Sequence, residues 1–284
     1  MKTAVLLLSC PGSLARKGVV AAISNFIIAH NGGIIHSDDH LDAGLDLFLS
    51  RLEWDLTGFN IPVEDFETHF KPVAERFLIK YRLALSEKRP KLAILVSSYD
   101  HCLADLLYRQ HTGELSCDIP IVVGNHATTE PVANFYSIPF RAIVGKNKPE
   151  TEQQILELLR PHEVDLVVLA RYMQILSADF VNQFPWRILN IHHSFLPAFI
   201  GAKPYHQAFE RGVKIIGVTS HYVTADLDEG PIVEQDVVRI SHRDKVEDLI
   251  QKGRDLERVV LSRAVRWHLE NRILLYGNKT VVFN

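Results

Sequence analysis

Little in this chain would tie it to a nucleic acid, a membrane or an extracellular disulfide scaffold. Lysine and arginine number 31 against 34 aspartates and glutamates, a formal net charge of −3. The basic excess that draws a protein onto nucleic acid is therefore missing. The longest unbroken apolar runs, such as residues 4–8 and 19–23, fall far short of the roughly 20 residues a membrane helix needs. The three cysteines, Cys10, Cys102 and Cys117, are odd in number and have no C-x-x-C spacing. That pattern excludes a disulfide framework or a cysteine zinc site and points to reduced, buried thiols. H-E-x-x-H, G-x-G-x-x-G, G-x-S-x-G and Walker sequences are all absent, so neither a metal nor a nucleotide cofactor is indicated. No repeat or low-complexity tract occurs. Met1-Lys2-Thr3 leads through a very short apolar stretch into Ser9-Cys10-Pro11-Gly12, so no secretory leader is expected. A cytoplasmic protein is expected, and the sequon Asn278-Lys279-Thr280 then has no physical meaning.

What is present is globular: 284 residues, 47% hydrophobic and 23% charged, enough for one large domain or two of moderate size. Apolar residues 3–9, a helical stretch 18–30, extended runs 33–41 and 45–54, a second helical stretch 63–77 and a further extended run follow in turn. This order, β-α-β-β-α-β, predicts a small ferredoxin-like unit with two helices on one face of an antiparallel sheet. Ser86-Glu87-Lys88-Arg89-Pro90 is charged and ends in proline, so residues 85–90 read as a linker between domains 1–84 and 91–284. Beyond it, apolar runs at 92–96, 119–123, 140–143, 166–170, 187–191 and 215–223 alternate with helical segments. Such runs are strands buried on both faces, predicting a Rossmann-like α/β domain with a mostly parallel sheet. Residues 245–270 read as a long amphipathic helix containing Gly253.

Ligands of open α/β sheets collect beyond the carboxyl ends of the strands. Three strand-to-loop junctions carry polar residues there: 169–177, 190–209 and 220–237. In the second, Asn190 and His192 share one face of an extended strand while His193 points the other way. An amide and an imidazole aimed at one point could stabilise charge on a carbonyl oxygen, and His192 could pass a proton. A polar pair merely satisfied at a strand end is the alternative. In the third, Asp226 and Asp228 lie in a loop closed by Gly230-Pro231, with room before it for a crossover helix around residues 205–211. A carboxylate from this loop could orient a histidine and a water for amide hydrolysis or acyl transfer, or serve only to form the turn.

These residues carry a family resemblance. Asn190-x-His192 followed by Ser194-Phe195-Leu196-Pro197 and Gly201, then His221 and Leu227-Asp228-x-Gly230-Pro231, resembles the 10-formyltetrahydrofolate-dependent formyl-transfer fold over essentially all of residues 91–284. The longer string, running from His192-His193 through Ala198-Phe199 and Gly201-Ala202-Lys203-Pro204-Tyr205-His206 to Asp228-Glu229-Gly230-Pro231, is most similar to the formyltetrahydrofolate deformylases. The resemblance implies hydrolysis of 10-formyltetrahydrofolate to formate and tetrahydrofolate, with Asn190, His192 and Asp228 as the catalytic trio. It further implies that residues 169–177 and 224–228 wall a pterin pocket, with Met173, Gln174, Ile175, Leu176, His221 and Thr224 as substrate-binding residues. Core packing is the alternative for Met173, Ile175 and Leu176. The transferases of this fold that use a phosphorylated acceptor hold its phosphate on a glycine-bearing turn after the first strand. Here Ser97-Ser98-Tyr99-Asp100-His101-Cys102 stands at that place, without glycine and with an aspartate that would repel phosphate.

Residues 1–84 resemble an ACT domain, a module that often binds an amino acid at a subunit interface. The usual Cys-Pro-Asp-x-x-Gly-x-Val loop is here Cys10-Pro11-Gly12-Ser13-Leu14-Ala15-Arg16-Lys17-Gly18-Val19, longer and without the aspartate. An amino-acid effector site and a purely oligomerising unit both remain open. His36, Asp38 and His40 alternate along one extended segment, a nominal metal set that reads better as a solvated face. The expectation is a cytoplasmic homo-oligomeric hydrolase supplying formate to one-carbon and purine metabolism, with the folate as substrate and no retained cofactor. Its rivals are a formyltransferase with an unphosphorylated acceptor and a non-catalytic folate or amino-acid sensor.

Overall fold

A computed structural model describes residues 2–145, 147–198 and 204–283, so Phe199 and residues 201–203 of the long string lie outside the described residues. Two compact units result, Met1–Lys88 with Glu270–Asn284, and Arg89–Leu269.

In the first unit, β1 (Thr3–Pro11) leads to a short α1 (Gly12–Ala15) and α2 (Val19–Ala29). Next come β2 (Gly33–Asp42), β3 (Leu47–Asp55), α3 (Phe66–Phe77) and β4 (Lys80–Leu85). The sheet order is β2-β3-β1-β4, antiparallel at each pairing. This is the predicted β-α-β-β-α-β arrangement, with α1 added in the loop after Pro11. Ala4, Leu6 and Leu8 of β1 pack with Phe26, Trp54, Phe66 and Phe70 in one core, so the helices cover that face.

The second unit begins with β5 (Lys91–Val96), α4 (His101–His111), β6 (Asp118–Gly124), α5 (Glu130–Phe135), β7 (Phe140–Ala142) and α6 (Lys148–Leu159). It continues through β8 (Leu166–Ala170), α7 (Ala178–Gln183), β9 (Ile188–His192), α8 (Pro204–Arg211), β10 (Ile215–Tyr222), β11 (Ile232–Arg239) and α9 (Val246–Leu269). The seven strands lie in the order β11-β10-β9-β8-β5-β6-β7. From β7 to β9 neighbours are parallel, whereas β10 and β11 are antiparallel. The mostly parallel sheet is as predicted, and Leu166–Ala170 is buried throughout, as a two-sided strand must be. α8, in contrast, is no parallel crossover, because the strands it joins, β9 and β10, run antiparallel.

α9 buries Leu249, Gly253, Glu257, Val260, Leu261, Ala264 and Val265, a helical stripe at spacings of three and four. Gly253 is required there, since a Cβ would run into the Tyr205 hydroxyl.

The expected 91–284 domain ends too late. Residues 270–284 cluster with the first unit, where β12 (Ile273–Tyr276) and β13 (Lys279–Val282) form a hairpin. Phe283 packs with Val5, Leu7 and Leu49, the side chains alternating with Ala4, Leu6 and Leu8. Arg51 Nε donates to Asn271 O at 3.1 Å. The uninterrupted apolar run of β1 thus has both faces covered, one by helices and one by this hairpin.

Candidate active site

β9 brings Asn190 and His192 to one face, as the two-residue period of a strand dictates. Its antiparallel neighbour β10 sets Thr219 opposite His192 and His221 opposite Asn190. His221 Nδ1 lies 3.0 Å from Tyr222 O. A carbonyl oxygen only accepts, so Nδ1 donates to it and Nε2 accepts from the Asn190 amide Nδ2 at 3.2 Å. One N–H of the Asn190 amide is thereby fixed, and the other points its donor capacity elsewhere.

Asp228 enters from the loop between β10 and β11, at a left-handed φ of 57°. Thr224 Oγ1 donates to Asp226 O at 3.0 Å, and Tyr222 N donates to Pro231 O at 2.9 Å, so both ends of the turn are tied. Gly230 admits no side chain, because a Cβ would collide with Tyr222 O. The result places Asp228 Oδ2 3.3 Å from His192 Nδ1 and Oδ1 3.6 Å from His221 Nε2. The His192 ring foremost holds the Asp228 carboxyl well below the usual carboxylate range against the opposing effect of burial. With Nδ1 turned to the carboxylate, the remaining ring nitrogen of His192, Nε2, is buried and has no hydrogen-bond partner among the described residues.

The structure therefore collects Asn190, His192, His221 and Asp228, while Asp226 stays exposed. Thr224 helps to turn the loop rather than facing inward by its hydroxyl. Leu169 pairs with Asn190, so the loop carrying Met173, Gln174, Ile175 and Leu176 leaves the sheet beside this strand. Met173 and Ile175 are 54% and 60% exposed, and Gln174 is exposed too. Leu176 alone of these packs against the core. Core packing thus accounts for Leu176 and not for Met173 or Ile175.

A second polar cluster escaped the sequence reading. Glu257 of α9 is buried, and its oxygens take His101 Nε2 at 2.7 Å and the Tyr205 hydroxyl at 2.9 Å. Arg171 Nε stands 3.4 Å from it. Burial pushes the Glu257 carboxyl up, but His101, Arg171 and Tyr205 together hold it below its ordinary value. The legible signal was a glutamate on the apolar stripe of α9. The Arg171 and Arg254 guanidiniums lie 5.3 and 5.2 Å from the Tyr99 ring centre, so the turn after β5 is flanked by cations that its own sequence does not reveal. His193 lies just past the end of β9, where strand parity no longer holds, and its ring centre stands 5.3 Å from that of His192 and 6.1 Å from that of Tyr205. Burial first, and Arg171 next, lower its pKa to about 4.

Among the described residues the group with metal-ligand spacing is His101, Cys102 and Glu257, not His36, Asp38 and His40. Its carboxylate is already engaged on both oxygens and faces a guanidinium, which makes it a poor cation site. The three cysteines are buried and free. No helix among the described residues is long and apolar enough to cross a membrane.

The formyl transferase family profile matches residues 90–265. The chain is 54% identical to a formyltetrahydrofolate deformylase of Synechocystis sp., over 99% of this chain and 98% of that one. It is 47% identical to the Bacillus subtilis protein of that name, over 98% of this chain and 93% of the relative. The crystal structure of a formyltetrahydrofolate deformylase from Pseudomonas syringae pv. tomato superposes with a TM-score of 0.95 at 44% identity, covering 100% of this chain and 95% of that one.

Proposed function

This chain belongs to the formyl transferase family, among its formyltetrahydrofolate deformylases, and we propose on that basis that it hydrolyses 10-formyltetrahydrofolate with water to formate and tetrahydrofolate. The observation that carries the chemistry is the Asp228 Oδ2 to His192 Nδ1 approach of 3.3 Å beside Asn190. Water adds to the formyl carbon, and the free N–H of Asn190 together with His192 Nε2 stabilises the oxyanion of the tetrahedral intermediate. A His192 that donates from both nitrogens carries a positive charge, which the ionised Asp228 balances. Asp228 accepts a hydrogen bond from the attacking water and relays its proton toward N10. The C–N bond then breaks, N10 leaves protonated, and formate is released. No resident metal or cofactor takes part in this scheme.

Met173, Gln174, Ile175, Leu176, His221 and Thr224 line the folate side in this reading. The exposed apolar side chains of Met173 and Ile175 support it, since a flat heteroaromatic ligand would cover them. The ferredoxin-like unit serves as an ACT domain, through which the chain assembles into a homo-oligomer and binds an amino-acid effector. The enzyme works in the cytoplasm, provides formate for one-carbon and purine metabolism, and engages neither nucleic acid nor membrane. Formate release from 10-formyltetrahydrofolate without any acceptor tests the reaction. Release that Asp228→Asn abolishes supports hydrolysis, whereas folate binding with no release favours an acceptor-dependent transferase or a sensor.

A further inference from the structure

We propose that Glu152 and Ser97 are positioning residues that hold the loop after β8 as one wall of the folate pocket, an inference that rests on the reading above. Apolar burial fixes only part of this loop, because Tyr172 and Leu176 pack against the core whereas Met173 and Ile175 stand largely in solvent. Its backbone is instead tied at two places by buried polar side chains. At one end, Met173 N donates to Ser97 Oγ at 2.8 Å, and Ser97 is buried directly after β5. At the other, Ser177 N donates to Glu152 Oε1 at 2.8 Å and the Ser177 hydroxyl donates to Glu152 Oε2. The same hydroxyl accepts from Phe180 N at 3.2 Å and caps α7.

A carboxylate as buried as Glu152, 7% exposed, is costly unless its oxygens are satisfied. Both are directed at one residue, Ser177, with Lys148 Nζ 3.9 Å away as the compensating charge. The segment between the anchored amides of Met173 and Ser177 thus keeps a defined path while presenting the apolar side chains of Met173 and Ile175 outward. Such a surface is unfavourable in water and gains stability when an apolar ligand face covers it. A tether of this kind alters ligand affinity without touching the reacting atoms.

The test uses the full chain, with steady-state kinetics on 10-formyltetrahydrofolate and calorimetric binding of tetrahydrofolate. Glu152→Ala and Ser97→Ala should each raise KM and the tetrahydrofolate Kd by roughly tenfold while kcat stays within about threefold of the parent. Glu152→Gln should stay close to the parent in both, since its amide oxygen accepts from Ser177 N and its NH₂ donates to Ser177 Oγ. Folded alanine variants with unchanged Kd, or a loss confined to kcat, overturn the proposal. Should Glu152→Ala fail to fold, Ser97→Ala decides, because it removes a single bond at the other end of the loop. A parent that binds tetrahydrofolate but releases no formate defeats the hydrolase reading alone, and the Kd comparison still judges the loop. A parent that binds no tetrahydrofolate defeats both.

Discussion

Asp228 Oδ2 lies 3.3 Å from His192 Nδ1, and the turn that brings it there has no room for any residue but glycine at position 230. The carboxylate is thus delivered by backbone geometry and kept ionised foremost by the His192 imidazole.

Asp228→Asn removes the charge with almost no change in shape. It should lower kcat for formate release by about 10²- to 10⁴-fold, with tetrahydrofolate affinity changed by less than about threefold. Turnover assays paired with calorimetry check this, and undiminished turnover would remove Asp228 from the mechanism.

Asn190 and His221 share a hydrogen bond of 3.2 Å, so their substitutions should be coupled. Asn190→Ala is expected to cost about 10²- to 10³-fold in kcat, as loss of an oxyanion donor does. His221→Ala should cost less, and the double variant should be less impaired than the product of the two single losses. Full multiplicativity in a double-mutant cycle would show that His221 does not orient Asn190.

His193 has its pKa depressed from 6.5 to about 4, chiefly by burial. A histidine depressed on folding binds fewer protons folded than unfolded, so stability rises with pH across that interval. Its contribution is complete above about pH 6.5 and is lost as pH falls toward 4, amounting at most to about 3 kcal/mol. Asp228, depressed in the carboxylate sense, loses its contribution only at more acidic pH. Urea melts between pH 7 and 5 should therefore show a steeper loss for the parent than for His193→Gln. Parallel slopes would mean that His193 is not the group responsible.

Gly253→Ala forces a methyl group against the Tyr205 hydroxyl, which is itself bonded to buried Glu257 at 2.9 Å. A loss of about 1–3 kcal/mol is expected from such overpacking, even though alanine is the better helix former. Thermal denaturation reads the outcome directly, and a stabilised variant would show that Tyr205 can move aside.

The elements and much of the candidate site were legible in the chain itself, because strand and helix periods are local properties. The apolar runs located six of the seven strands of the larger sheet and missed β11, and strand parity placed Asn190 and His192 together but failed for His193, which lies past the end of β9 with its ring 5.3 Å from that of His192. The choice of Asp228 over Asp226 came from the family resemblance, and its placement beside His192 came from a left-handed turn. Glu257, Arg171 and Glu152 were not read as a set, since each meets its partners only through packing of distant elements. Glu257 sits on α9, Arg171 after β8, and Glu152 on α6 facing the start of α7. The final hairpin was likewise assigned to the wrong unit, because a short β pair carries no signal of the surface it will cover.

Sequence by itself determined the class of fold, most of the strands of its two larger sheets, and which strand would present the amide and imidazole. Those properties follow from hydrophobic period and backbone chirality, which act over a few residues. Tertiary structure alone decided which carboxylate reaches His192, which ring nitrogen is left open, and which buried groups fix the loop beside them. Such relationships depend on distances between residues remote in the chain, and only the packed sheet and its loops set those distances.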